Sequence, residues 1–199
     1  MEIAILLFEG FDELDAIGPF EVFENAADAG ADCETTLRSL EGTSPVTASH
    51  GLDVGVDGPL DEADPDLLVV PGGGWNDRDG PGAYREAERG AVPEAIAAHR
   101  ERGGSVAGVC TGGLLLARAG ALDGRPAVTH ASALEDLRAT EAEVVDARVV
   151  DDGDVLTAGG VTSGLDLAVH LVEREFGAEV AAAVRTEMEY EPRGRVHTA

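Results

Sequence analysis

The chain has no lysine. All 14 of its basic residues are arginine, against 39 Asp and Glu, and the formal net charge is -25 over 199 residues. A surface so charged repels nucleic acid and anionic lipid, which excludes both as expected partners. Cysteine is nearly absent: Cys33 and Cys110 are too few for a disulfide framework. Aromatics make up only 4% of the chain. No run approaches the roughly 18 apolar residues that span a bilayer, so no membrane segment is expected. The first residues, "MEIAILLFEG", lack a basic stretch and a cleavage site, so they read as a strand and not a signal peptide, and a cytoplasmic location is expected.

What is present is a globular composition. Hydrophobic residues form 44% of the chain and there are only 9 prolines. The acids are dispersed, as in Asp61, Glu62, Asp64 and Asp66, rather than gathered in one tail. Dispersion favours a solvated, halophilic surface screened by concentrated cations over a docking face for a cationic partner.

Buried strands are expected where apolar runs are continuous: Ile3 to Phe8, "DLLVVPGGG" and "SVAGV". "CETTLRSL" and "AVTH" read as further strands, and "PVTASHGLDVGVDG" as a hairpin on the sheet edge. "AEVVDARVVDDGDVLTAGG" reads as paired strands turning at Asp152-Gly153. Helical spacing marks a segment ending near Gly30, then "AVPEAIAAHRERGG", "GLLLARAGAL", Thr162 to Phe176 and Ala178 to Met188. Ser163 and Asp166 have the spacing of a capping box. Alternating strands and helices predict one α/β domain over 1–199 with a mostly parallel central sheet and a polar tail at 191–199. No added DNA-binding module is expected after this tail.

In such folds the carboxyl ends of the strands carry the ligand site. Three strand ends here are glycine-rich: Gly72-Gly73-Gly74, Cys110-Thr111-Gly112-Gly113 and Gly159-Gly160. Gly108-Val109-Cys110-Thr111-Gly112 has the form of a nucleophile elbow with Cys in place of Ser. A helix starting after it would aim its N-terminus at the sulfur and favour thiolate. The competing reading is a small buried hydrophobe, which suits Cys33 in its plain strand. Backbone N–H groups of Gly73 or Gly74 are candidates for an oxyanion pocket.

No phosphate-loop or dinucleotide fingerprint is present. The five histidines (50, 99, 130, 170, 197) show no metal-ligand spacing. His99 and His170 fall inside helices as surface or packing residues. His130, at a strand end, is open to two readings: a neighbour of Cys110 or a loop histidine satisfied locally. Among Glu9, Asp12, Glu13 and Asp15, the last stands nearest apolar residues, where desolvation raises a carboxyl's pKa, yet an ordinary acid of a helix's first turn fits the spacing equally.

Together, "LDAIGPFEVF", "VVPGGG", "VCTGGLLLARAGALDGRPAVTH", "LTAGGVTSGLDLAVHL" and "MEYEP" make the chain resemble the DJ-1/PfpI (ThiJ/PfpI) superfamily over about Ile3 to Pro192. Within it the chain is most similar to the isocyanide hydratase branch. The resemblance implies a flavodoxin-like three-layer sandwich related to class I glutamine amidotransferases. It implies Cys110 as nucleophile and Asp15 as acid/base. It places Thr111, Gly73, Val161 and His130 around the substrate. It implies hydration of an isocyanide to an N-substituted formamide, a small-molecule substrate, a homodimer, and no metal or organic cofactor. Glyoxalase or deglycase chemistry on α-oxoaldehydes, or a redox sensor, are the alternatives within the superfamily.

Thr111 stands where protease-like members carry His, which argues against a peptidase. Ala131 after His130 replaces the branch's usual aromatic residue, so the pocket wall differs.

The charge gives a first prediction. Thermal melts from low to molar salt should show stability rising steeply with salt. Full stability at low ionic strength would refute the halophilic reading of the surface.

Overall fold

A computed structural model of the protein describes residues 1–42 and 45–199. The strands are β1 (Glu2–Leu7), β2 (Glu34–Ser39), β3 (Val46–Thr47), β4 (Asp53–Val54), β5 (Gly58–Pro59), β6 (Leu67–Val70), β7 (Ser105–Val109), β8 (Pro126–Ala127), β9 (Glu143–Val144), β10 (Val149–Asp152), β11 (Val155–Ala158) and β12 (Val196–Thr198). The helices are α1 (Glu13–Asp28), α2 (Ala83–Arg89), α3 (Ala91–Glu101), α4 (Gly112–Arg118), α5 (Leu134–Arg138), α6 (Ser163–Phe176) and α7 (Ala178–Glu187).

Eight strands form one sheet in the order β12-β10-β11-β7-β6-β1-β2-β5. All its neighbours are parallel except the β10–β11 hairpin. The inner strands are apolar on both faces because both faces are covered. Ile3 to Leu7, Leu67 to Val70 and Val106 to Ala107 are each 1% exposed or less. Helices α1, α6 and α7 pack together, and α2, α3 and α4 form a second group. The architecture is the expected α/β sandwich with a mostly parallel sheet. The chain moves from β1 outward to β2, then returns to β6 on the other side of β1. That reversal is the switch point at which such sheets place ligands.

Four local expectations are corrected. "AVTH" is a strand only at Pro126–Ala127, and it pairs with β9 outside the main sheet. Its later residues are held through side-chain hydroxyls instead: Val128 N–H donates to Thr157 Oγ1 at 3.0 Å, and the Thr129 hydroxyl donates to the Cys110 carbonyl at 2.7 Å. The expected edge hairpin is a separate ladder of β3 with β4, and β5 takes the sheet edge beside β2. No capping box forms at α6. Thr162 is its N-cap without a side-chain bond, and the Asp166 carboxylate accepts instead from Arg148 and the Arg193 N–H. The polar tail contributes β12, which pairs with β10 along the sheet edge.

Glycine at 112 is dictated by the fold that brings β6, β7 and α4 together. A Cβ there would lie 2.1 Å from the Val70 carbonyl oxygen. Gly112→Ala should therefore cost about 1–3 kcal/mol or more in chemical denaturation, as overpacked sites do. A wild-type midpoint would mean this close approach does not exist.

Candidate active site

The sharpest backbone feature is Cys110, at φ 57. Left-handed geometry is disfavoured for any residue with a Cβ, and strain of this kind gathers at functional sites. Three bonds hold the elbow. The Cys110 N–H donates to the Ala158 carbonyl at 3.1 Å. Its own carbonyl accepts from the Thr129 hydroxyl at 2.7 Å and from the Gly113 N–H at 3.4 Å. The residue is only 5% exposed.

Asp15 sits in the first turn of α1 and is wholly buried, at 0% exposure. Its Oδ2 accepts the Gly72 N–H at 2.9 Å, while the Gly72 carbonyl accepts the Asp12 N–H at 2.8 Å. Oδ1 is buried with no hydrogen-bond partner among the described residues. Burial, then the charge of nearby Asp12, push the Asp15 carboxyl up to about 8, against the pull of the Gly72 N–H and the Cys110 thiol. Burial thus favours the protonated form of this carboxyl. Burial also pushes the Cys110 thiol up, and the Asp15 charge adds to it, while the Thr111 backbone acts the other way. The two groups feel each other, yet Oδ1 and the sulfur lack hydrogen-bond geometry, so they titrate as a coupled pair without a formed bond.

Burial thus overturns the expectation of a depressed thiol pKa from the following helix. That helix, α4, has only 7 residues. Burial disfavours the charged form of both groups.

The structure brings Gly73 and Thr111 together in an arrangement the sequence did not suggest. The Gly73 N–H donates to Thr111 Oγ1 at 3.0 Å, so this N–H is not a free oxyanion donor. Gly74 N–H has no partner among the described residues. Gly72 has no room for a side chain: a Cβ would lie 2.5 Å from both Thr111 N and Oγ1. Val161 follows Gly160 beyond β11 and accepts the Gly164 N–H at 3.2 Å. His130 makes no hydrogen bond to Cys110, and its Nδ1 faces Ser132. His99 is buried against the Ser105 carbonyl and His170 pairs with Asp151, so both serve packing. Cys33 lies just before β2 rather than in it, is half-buried, and its thiol donates to the Phe23 carbonyl at 3.8 Å. Thr129 is the residue that sequence reasoning missed. A lone hydroxyl in the apolar "AVTH" stretch was its signal.

No metal is assigned. Asp12, Glu13 and His50 place ligand atoms within 4.8 Å of one another. Each is already engaged: Asp12 caps α1 through the Leu14 N–H at 3.2 Å, and Glu13 and His50 bond each other at 2.7 Å. Burial works against the Glu13 charge, but the His50 bond prevails and holds the carboxyl down at about 2. A concavity of about 570 Å3 lined by Met1, Asp66, His99 and Ser105 opens at the opposite, amino ends of the strands.

A thiol on a left-handed elbow lies beside a buried carboxyl at the switch point of a mostly parallel sheet in this α/β protein. The DJ-1/PfpI family model matches residues 1–174, and the chain belongs to that family. It is 33% identical to an isonitrile hydratase of Pseudomonas putida over 96% of this chain and 79% of that one. It is 32% identical to a deglycase of Thermococcus kodakarensis over 77% of this chain and 87% of that one. Among solved structures, a ThiJ/PfpI family protein of Pseudomonas syringae superposes with TM-score 0.84 at 27% identity, covering 96% of this chain and 76% of that one.

The raised Asp15 pKa makes stability pH-dependent. The folded carboxyl titrates near 8 and the ordinary one at 3.8, so between these values the folded state binds more protons. Wild-type stability must then fall as pH rises, by up to about 1.4 kcal/mol per pH unit from this group. Asp15→Asn keeps an acceptor for Gly72 N–H without a titrating group. Melts of both proteins should show the variant gaining on the wild type from pH 5 to pH 8. Parallel pH slopes would show that Asp15 is ionised when folded.

Proposed function

We propose that this protein is a cysteine-dependent hydratase of small molecules that converts isocyanides to N-substituted formamides. Cys110 is the nucleophile and Asp15 the acid/base. The observation that carries the reading is the wholly buried Asp15 carboxyl, held by Gly72 N–H with its second oxygen unpartnered beside the thiol, where burial raises its pKa. Similarity to the isonitrile hydratase supports the substrate.

Sulfur forms a bond to the terminal isocyanide carbon. Asp15 gives its proton to that carbon and takes the thiol's proton, so a thioimidate forms with no net change at the carboxyl. Water then adds to the same carbon as the nitrogen gains a proton. The carbon–sulfur bond breaks, the thiol regains its proton, and the formamide leaves. Thr111, Gly73, Gly74, Val161 and His130 surround this chemistry. No step calls for a cofactor. A homodimer with a small-molecule substrate, in the cytoplasm, completes the proposal.

Formamide production should vanish in Cys110→Ala and fall by about 10²–10⁴-fold in Asp15→Asn. It should also decline in wild type as pH rises through about 8, where Asp15 loses its proton. Lactate from methylglyoxal without formamide would favour the glyoxalase alternative, in line with similarity to the deglycase. No turnover of either, with peroxide oxidation confined to Cys110, would favour a sensor.

A further inference from the structure

His130 lies directly after Thr129, whose hydroxyl holds the Cys110 carbonyl. Its Nδ1 is 3.1 Å from the Ser132 N–H and 2.8 Å from Ser132 Oγ. A backbone N–H can only donate, so Nδ1 must present a lone pair and carry no proton. The imidazole thus does for the 3-10 turn Ala131–Ala133 what an Asp or Ser oxygen does at a helix N-cap. Asn76 Nδ2 donates to Ser132 Oγ at 2.8 Å. That bond fills an acceptor site on the hydroxyl and leaves its proton for Nδ1. In the neutral ring the proton therefore resides on Nε2.

Nε2 has no protein partner among the described residues. Its edge of the ring rests on Gly160, where a Cβ would lie 2.8 Å from Cδ2 and 3.3 Å from Nε2. Gly160 follows β11, whose last residue, Ala158, receives the Cys110 N–H. The ring is thus fixed between the two segments that flank the elbow, with one N–H unspent.

We infer that Ser132 and Asn76 are positioning residues that lock His130 as a neutral Nε2–H donor, and that this N–H binds the heteroatom attached to the carbon Cys110 attacks. The second half rests on the reaction proposed above. The first does not. The heteroatom is nitrogen in an isocyanide adduct and oxygen in an α-oxoaldehyde adduct, and one donor serves both. Its bond strengthens as charge develops on that atom. His130 gives up no proton and takes none from sulfur, which separates this role from that of a base.

The lock is read without substrate. Long-range ¹H–¹⁵N spectra of the full chain, above the imidazole titration, should show His130 with a bare Nδ1 and a protonated Nε2. His130→Phe assigns the signals. An Nδ1–H tautomer, or an average of both, overturns the inference. Ser132→Thr retains the N–H and hydroxyl and should keep the pattern. Ser132→Pro lacks both and should give the average. In turnover, Ser132→Ala should lose roughly 2–10-fold in kcat/KM, the worth of one hydrogen bond, with Ser132→Thr restoring it. Unchanged turnover in Ser132→Ala removes the hydroxyl from the mechanism. If wild type forms no formamide, the proposed reaction fails, and the tautomer spectrum alone decides the lock.

Discussion

Gly72 makes two hydrogen bonds on which the rest of the site depends. Its N–H goes to the Asp15 carboxyl and its carbonyl takes the Asp12 N–H. Together they tie the loop after β1 to the loop after β6, across the switch point of the sheet. Without the N–H, a wholly buried carboxyl would have neither oxygen paired, since Oδ1 has no partner among the described residues. Without the missing Cβ, Thr111 could not approach. Then Gly73 could not bond its hydroxyl and the elbow would stand away from Asp15. One residue thus both pairs the acid and leaves room for Thr111, the neighbour of the elbow cysteine.

The elbow was legible because its requirements are local. Glycines on both sides of a cysteine, after a short apolar strand and before leucines, admit few backbone shapes. β1, β6 and β7 were legible because burial on both faces leaves continuous apolar runs. What was hidden is tertiary. Four acids crowd the stretch after β1, and spacing could not separate them. The fold does: Glu9 goes to the Thr47 N–H, Asp12 caps α1, Glu13 goes to His50, and Asp15 alone points inward. Ser163 and Asp166 matched a cap by spacing, but Arg148 and the Arg193 N–H, far along the chain, claimed the carboxylate. The thiol pKa failed for the same reason, since a helix start is local and desolvation is not.

Charge is partitioned in the same way. Every basic side chain of the ion pairs in the described residues belongs to arginine or histidine. Arg125 alone bridges Asp152 and Asp154 at 3.1 and 2.6 Å, tightening the turn of the β10–β11 hairpin. Beneath this acidic exterior, burial raises both the Asp15 carboxyl and the Cys110 thiol and so disfavours charge at the site. An uncharged small molecule meets no electrostatic barrier there, whereas an anion must approach through the field of 25 excess negative charges.

The left-handed backbone at Cys110 sets thermodynamics against chemistry at one residue. Glycine there would relieve about 1–2 kcal/mol of backbone strain and delete the sulfur. A population drifting without selection for activity would therefore find the loss of the thiol easy, even favourable to folding. Persistence of the cysteine would then record use of the site more faithfully than persistence of any core residue, because the core is kept by stability alone.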